Sequence, residues 1–419
     1  MIVWRNVINT MVRVKFIVNA LLSVALGALA TLAYAQTPAP LQPQTLEQQL
    51  FRAVYSKDEA KAIALIEAGA NVDAREATIY VSLPILYRAT ERGMKEVVQA
   101  LVMKGANVNA EVEHYRGIPL TIALAHGYED IARFLIDHGA NVNYADKAGY
   151  TMLHVAAGRV SKSMLEFLIN YGLNVNANDN GVGTPLYYAI RAENWQNARL
   201  LIDRGADFRA DIGRGDQALS MAAKYGGFEL VKFLVAKGAD VRARNFYTGG
   251  TALHEAAAYG YKDIVEFLIS EGADVNASGV PKNSPYRILS TPIVGPAYRG
   301  HFDIVKILVN HGADVNFHGE GGLTPLGMAA FGGHRLIAEW LVNHGAEINP
   351  FAKDYELEAN NIPLLSAVDR RDIEMVRFLI AKGARVNARA KGGETALLLA
   401  RRFRRQDIVD LLVANGATD

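Results

Sequence analysis

The stretch TALHEAAAYGYKDIVEFLISEGADVNA, from Thr251 to Ala277, is the clearest copy of a motif that recurs along the whole chain. Its first half predicts a short helix that begins after Thr251, whose hydroxyl can cap a helix N-terminus. Its second half places five apolar residues between Ile264 and Ile269, enough to be covered on more than one side. Gly272 then ends the second helix, because glycine readily adopts the left-handed C-cap conformation. Neither helix can bury its apolar face alone, so this unit requires neighbours.

A glycine in the same surroundings recurs eleven times, at intervals of 33 to 40 residues: Gly69, Gly105, Gly139, Gly172, Gly205, Gly238, Gly272, Gly312, Gly345, Gly383 and Gly416. Each glycine lies 21 residues after the start of an opening such as TPLYYA from Thr184 or TALHEA from Thr251. A period near 33 with this opening resembles the ankyrin repeat. The resemblance covers nearly the whole chain. It implies an all-α repeat solenoid, a stack of helix-turn-helix units with β-hairpin fingers between them.

The chain divides into three parts: a signal peptide (1–35), a Pro-rich flexible leader (36–45) and an ankyrin-repeat solenoid of about eleven repeats (46–419). Three basic residues precede an apolar stretch from Phe16 to Ala33, and Ala33-Tyr34-Ala35 is an A-x-A cleavage signal. We expect cleavage after Ala35 and a periplasmic or secreted protein. An uncleaved membrane anchor is the alternative, since about 18 apolar residues could just span a bilayer. Met11 offers a second start codon, which leaves a compact charged region before the apolar stretch.

Composition narrows the classes of function. The chain has no cysteine, which excludes disulfides, thiol catalysis and cysteine-bound zinc. The first 35 residues hold three of the 44 basic and none of the 43 acidic side chains, so the processed chain has a net charge of −2. Such a balance gives no general attraction to nucleic acid or anionic membranes. We therefore expect no nucleic-acid partner and no stable membrane insertion after cleavage.

The sequence contains no catalytic or metal-binding motif that we can identify. The histidines lack H-E-x-x-H spacing, and there is no G-x-S-x-G and no P-loop. His154 and His254 occupy the histidine place of the opening, where the ankyrin resemblance implies hydrogen bonds to neighbouring fingers. Arg214-Gly215-Asp216 spells an adhesive tripeptide, but so short a string arises easily by chance. We expect no enzyme, no cofactor and no metal; chemistry hidden in the long fingers is the remaining alternative.

The best candidate for function is a binding surface. In the ankyrin resemblance, the seventh and eighth residues after each opening position end the first helix and face a groove. Of these 22 residues, seven are Arg or Lys, two are acidic and six are Tyr or Phe. Aromatics and arginine dominate interface hot spots, although helix C-termini also favour arginine on their own account. The candidate groove residues are Arg92, Arg159, Arg191, Tyr225, Tyr259, Tyr298, Arg299, Phe331, Arg370 and Phe403, with Tyr286, Arg287 and Tyr355 in the long fingers.

Six of these residues, which we call the groove strip, come from five consecutive repeats and are expected to form one surface: Tyr225, Tyr259, Tyr298, Arg299, Phe331 and Arg370. The strip contains two arginines and no acid, which favours a partner with an acidic face. Gly295 and Pro296 fall inside the expected first helix of one repeat. They indicate either a kinked, degenerate repeat or a flexible joint or contact site.

The sequence predicts a non-catalytic, monomeric scaffold for protein–protein interaction that binds a folded partner in the groove and fingers. Two alternatives stay open. One is an accessory or protective factor for a periplasmic enzyme, because some bacterial ankyrin-repeat proteins that this chain resembles are linked to oxidative-stress defence. The other is a secreted factor that binds host proteins.

Overall fold

The computed structural model describes residues 44–77, 82–112, 117–213, 216–245, 248–278, 290–319, 323–350, 362–390 and 392–418. These residues form 22 helices in eleven pairs, which we number 1 to 11 in chain order. The first helices of the pairs are Leu46–Ser56, Ile85–Glu91, Pro119–His126, Met152–Ala157, Pro185–Arg191, Ala218–Lys224, Ala252–Tyr259, Val294–Arg299, Pro325–Gly332, Pro363–Asp369 and Ala396–Arg402. The second helices are Glu59–Glu67, Lys95–Met103, Glu129–Asp137, Lys162–Asn170, Trp195–Asp203, Phe228–Ala236, Lys262–Ser270, Phe302–Asn310, Arg335–Asn343, Ile373–Ala381 and Gln406–Ala414.

The pairs stack in chain order around one continuous apolar core. First helices pack against first helices of the next pair, and second helices against second helices. In pair 7, Leu253 and Ala256 of the first helix and Val265 and Leu268 of the second are completely buried. Each side chain of this kind contributes about 1.5–3 kcal/mol when it leaves water, alanine less. Because a single pair has nothing on either side to cover these atoms, the stack and not the helix is the stable unit.

Each pair ends at its predicted glycine. All eleven glycines have φ between 84° and 93°, in the left-handed region. Gly272 has φ 86°, and it follows the helix Lys262–Ser270 as expected. A side chain at this φ is strained even where space is free, because Cβ then approaches the backbone carbonyl.

The turn between the two helices of a pair also uses a left-handed residue, with one exception. Ten pairs place such a residue there, for example Gly260 with φ 89° in pair 7. Pair 4 has Val160 at this position, and its first helix ends at Ala157. The carbonyl of Ala157 therefore lacks the backbone N–H of the turn residue, which in pair 7 donates to the carbonyl of Ala257. The side chain of Asn197 from pair 5 replaces that donor: its Nδ2 donates to the carbonyls of Ala157 at 3.0 Å and Val160 at 2.9 Å. A fully buried asparagine therefore stands where pair 7 has Ile264.

A ladder of asparagine side chains joins successive pairs at the base of the fingers. Asn316 shows the pattern: its Nδ2 donates to the carbonyl of Gly345 at 2.8 Å, and its Oδ1 accepts from the N–H of Glu347 at 2.8 Å. Both groups belong to the next pair, so one side chain closes two hydrogen bonds across the stack. The same two-way bridge is made by Asn109, Asn176, Asn276, Asn349 and Asn387.

The fingers carry short antiparallel pairings in the part of the chain that the structure describes. Within the described residues, a two-stranded antiparallel sheet forms only in the first finger, between Arg75–Ala77 and Ser82–Pro84. Four further fingers contain a single bridge each, such as Ala145 to Thr151. The long-finger residues Tyr286, Arg287 and Tyr355 lie outside the described residues, as do the predicted signal peptide and most of the predicted leader.

Pair 8, the irregular repeat, keeps both of its helices. Its first helix begins late, at Val294, so Pro296 occupies the first helical turn. Backbone N–H groups of the first turn have no partner within the helix, and proline loses nothing there. Gly295 lets this helix approach pair 7 closely, since a Cβ at Gly295 would lie 2.7 Å from Cβ of Ala258. Gly295 and Pro296 thus lie inside the first helix as expected, but in its first turn, where proline removes no hydrogen bond of the helix.

Candidate functional site

The predicted groove residues lie at the C-terminal ends of the first helices. Tyr259 and Arg299 are the last residues of their helices, and Arg370 and Phe403 follow theirs directly. Tyr259 is 38% exposed, an unusual value for a large aromatic side chain in this otherwise well-packed stack. The other aromatic residues at these positions, Tyr225, Tyr298, Phe331 and Phe403, are half-buried.

Contacts join members of the groove strip across pairs 7 to 10. The guanidinium of Arg299 lies over the ring of Tyr259, 4.5 Å from its centroid. Tyr298 and Phe331 stack with their centroids 5.8 Å apart and their planes at 19°. Both rings line a pocket of about 250 Å³ together with Asp369, Arg370 and Arg371, which we call the aromatic pocket. Its lining combines two aromatic faces with two guanidinium groups.

Arg371 is a pocket residue that the sequence reasoning missed. It stands at the left-handed turn position with φ 62°, where several pairs carry glycine. Its guanidinium lies over the ring of Phe403, 4.9 Å from the centroid, and that of Arg402 lies over the same ring at 5.3 Å. A bulky residue at a turn that normally takes glycine is the signal that could have revealed it.

The candidates nearer the N-terminus lie in separate places. Arg92 lies over Tyr55, 5.4 Å from the ring centroid, at the far end of the stack. Burial raises the pKa of Tyr150 to about 12, against the nearby charges of Arg159 and Arg191. Tyr225 is half-buried, and burial is also the main cause that raises its pKa. The stacked and cation–π contacts therefore concentrate in the C-terminal half of the groove strip.

The two motif histidines have the structural role that the resemblance implies. The backbone N–H of Thr251 donates to Nδ1 of His254 at 3.1 Å, and Nε2 donates to the carbonyl of Ser290 in the next finger at 3.0 Å. The Thr251 hydroxyl donates to the same Nδ1 at 2.9 Å, so the ring is held against the residue that precedes the helix. His154 makes the same bonds to Thr151 and Gly183. Burial lowers the pKa of both histidines, that of His254 to about 4.

Other histidines close the ends of second helices. His138, His311 and His344 each donate from Nδ1 to the carbonyl four residues earlier, at 2.8 Å. In the described part of the chain, no three His, Asp or Glu side chains are grouped so that they could hold a metal ion. None of the helices described is long and apolar enough to cross a membrane.

The family model for ankyrin repeats in three copies matches residues 50–146, 139–212, 208–278, 290–352 and 351–419. These segments cover most of the chain. The chain belongs to the ankyrin-repeat family. Ankyrin repeats indicate a scaffold for protein–protein interaction, and proteins built from them are in general not enzymes.

Curated relatives share short stretches with the chain. Transient receptor potential cation channel subfamily V member 6 of Rattus norvegicus is 32% identical over 117 residues, which cover 25% of this chain and 15% of the channel. A putative ankyrin repeat protein of Acanthamoeba polyphaga mimivirus is 33% identical over 108 residues, covering 25% of this chain and 66% of that protein. The crystal structure of the human ASB11 ankyrin repeat domain matches 56% of this chain and 99% of its own, with 22% identity and a TM-score of 0.47. The chain thus spans less than two thirds of these curated relatives.

Proposed function

We propose that this chain is a non-catalytic scaffold that binds a folded protein partner through the groove strip, with pairs 7 to 10 as the centre of the contact. The observation that carries the proposal is the run of joined anchor residues: Arg299 on Tyr259, and Tyr298 on Phe331 beside Arg370. Aromatic and arginine side chains that are held in place lose little freedom on binding.

The second helices offer a poorer surface for the same purpose. Lys262 and Glu266 are half-exposed and pair loosely with each other at 3.8 Å. Exposed ion pairs of this kind contribute about 0–1 kcal/mol, and long charged side chains lose more freedom when they are immobilised. A partner therefore gains more on the groove strip than on the second helices.

We also propose that the scaffold acts in the periplasm or outside the cell. The basic start, apolar stretch and A-x-A end of residues 1–35 support export. A fold without cysteine needs no disulfide formation in such a compartment, since its stability comes from stacked apolar faces. The partner is then a protein of the same compartment.

The experiment is a pull-down from a periplasmic extract with the processed chain as bait, followed by affinity measurements on the protein recovered. We expect Tyr259→Ala and Tyr298→Ala each to weaken binding by about 2 kcal/mol, or roughly thirtyfold. Lys262→Ala is the control, because it removes an exposed side chain from the second helix of the same pair as Tyr259. If Lys262→Ala weakens binding as much as the tyrosine variants do, the groove strip is not the site.

A further inference from the structure

Cationic side chains at the ends of the first helices are not equally neutralised along the chain. Burial disfavours the charged form of Lys224, but Glu255, with Tyr259 and Asp216, outweighs burial and raises its pKa. Arg402 forms an ion pair with Glu394 at 2.6 Å. By contrast, the guanidinium groups of Arg299, Arg370 and Arg371 form no ion pair with any carboxylate of the described residues. Arg92, Arg159 and Arg191 likewise form no ion pair within the described residues, but only on pairs 8 to 10 do such arginines adjoin the aromatic pocket.

The aromatic pocket lies between these arginines. Phe331, from pair 9, stacks on Tyr298 of pair 8, and Arg370 and Arg371 close the side toward pair 10. Its volume of about 250 Å³ exceeds the roughly 150 Å³ that holds a benzene ring in a protein interior. Asp369 also lines the pocket and can accept a hydrogen bond from a hydroxyl group. A phenol ring satisfies both parts of this lining, since its face stacks and its O–H donates.

We propose that pairs 8 to 10 bind an extended segment of the partner in which a tyrosine is flanked on both sides by acidic residues, each about three positions away. The tyrosine enters the aromatic pocket, one carboxylate meets Arg299, and the other meets Arg370 and Arg371. The spacing follows from geometry: packed helices lie about 8–10 Å apart, and an extended chain advances about 3.3 Å per residue. This inference rests on the proposed function and names the part of the partner that the groove strip recognises.

The probe is a fluorescein-labelled peptide, Gly-Glu-Gly-Ser-Tyr-Gly-Ser-Glu-Gly, whose symmetric spacing suits either chain direction. The comparison peptide has the same composition with the acids moved next to the tyrosine, Gly-Ser-Gly-Glu-Tyr-Glu-Gly-Ser-Gly. Fluorescence anisotropy with the processed chain measures both. We expect the spaced peptide to bind at least about fivefold more tightly than the comparison peptide, and more weakly as salt is raised.

Variants of the scaffold locate the binding site. Arg299→Ala and Arg370→Ala are each expected to weaken binding of the spaced peptide about tenfold, because each removes a charge-assisted contact. Arg370→Lys keeps the charge and is expected to restore part of the loss. The matched control is Arg199→Ala: Arg199 lies over Phe233 at 4.5 Å, the same distance as Arg299 over Tyr259, but on the second helices. Circular dichroism confirms that each variant is folded.

Three results would overturn the inference: equal affinity for the two peptides, unchanged binding by Arg370→Ala, or no saturation below about 1 mM. The proposed function has its own separate test. If the recovered partner still depends on Tyr259 while the peptide does not bind, only the acidic tyrosine segment is wrong. If the partner depends equally on Lys262, the proposed function itself fails.

Discussion

The substitution Asn197→Ala tests how the stack tolerates a valine at a turn that elsewhere uses a left-handed residue. Asn197 is completely buried, and it donates to the carbonyls of Ala157 and Val160 at 3.0 and 2.9 Å. Alanine leaves the carbonyl of Ala157 buried without a donor, at about 1–3 kcal/mol. The carbonyl of Val160 keeps only the long bond from Nδ2 of Asn194, at 3.5 Å. The Oδ1 of Asn197 accepts no hydrogen bond within the described residues. Because the substitution also removes this unsatisfied buried atom, part of the destabilisation is offset. We expect a net destabilisation of about 1–3 kcal/mol.

A second substitution, at Val160, should reduce the destabilisation caused by Asn197→Ala. Val160→Gly permits the left-handed turn that Gly260 makes in pair 7, where the N–H of Gly260 donates to the carbonyl of Ala257. In that background the carbonyl of Ala157 gains a backbone donor, and Asn197→Ala should cost about 1–2 kcal/mol less.

The assay is native-state hydrogen exchange of the helices Met152–Ala157 and Pro185–Arg191, since a long repeat array need not unfold in one step. Protection in these two helices should fall in Asn197→Ala and recover in the double variant. Urea unfolding followed by circular dichroism gives the global effect. An equal cost of Asn197→Ala in both backgrounds would refute the coupling between the turn and the asparagine.

Four further predictions concern stability and processing. Gly272→Val should destabilise by at least about 1–2 kcal/mol through the left-handed cap, whereas Tyr259→Ala should change the melting temperature little; similar melting temperatures would count against this helix end. Asn316→Ala should lower the free energy of unfolding in urea by about 1–3 kcal/mol because it removes two hydrogen bonds between pairs. An unchanged free energy would mean that the asparagine ladder does not stabilise the stack. His254 has a pKa of about 4 in the folded chain, whereas the unfolded chain binds the proton near pH 6.5. The free energy of unfolding should therefore fall by about 3 kcal/mol as the pH drops from 6.5 to 4. A His254→Gln variant whose stability depends on pH in the same way would contradict this. N-terminal sequencing of the exported protein should begin at Gln36, and recovery of an intact chain from membranes would show an uncleaved anchor.

Periodicity was enough to predict the helix pairs and their ends. The fixed distance from each opening to its glycine reflects a helix–turn–helix of constant length, and Gly272 indeed takes the left-handed conformation. Rules that apply within one repeat fail where a side chain of one repeat compensates for a change in its neighbour. In the sequence, Asn197 is a polar residue at a position of the apolar register. Its role follows only from the turn at Val160, one repeat earlier, where carbonyls lack backbone donors. Such compensation between repeats has no signature within either repeat alone.

The positions of the groove residues were predictable from the sequence, but the contacts between them were not. Counting from the opening motif placed Tyr259 and Phe331 at the helix ends. Nothing in that count says that Tyr298 stacks on Phe331, or that Arg371 turns toward Phe403. Those contacts depend on the distance and rotation between neighbouring pairs, which packing sets. The proline of pair 8 shows the same limit, because a helix can begin two residues later and so place the proline in its first turn.

Site-specific photo-crosslinking tests most directly whether the partner lies on the groove strip. A photoreactive phenylalanine replaces Phe331 at the end of the first helix of pair 9, or Leu336, which is 68% exposed in the second helix of the same pair. Both variants are incubated with the recovered partner, irradiated and resolved on a denaturing gel. The account predicts a crosslinked product from position 331 and none from position 336. A product from position 336 alone would place the partner on the second helices and contradict the account.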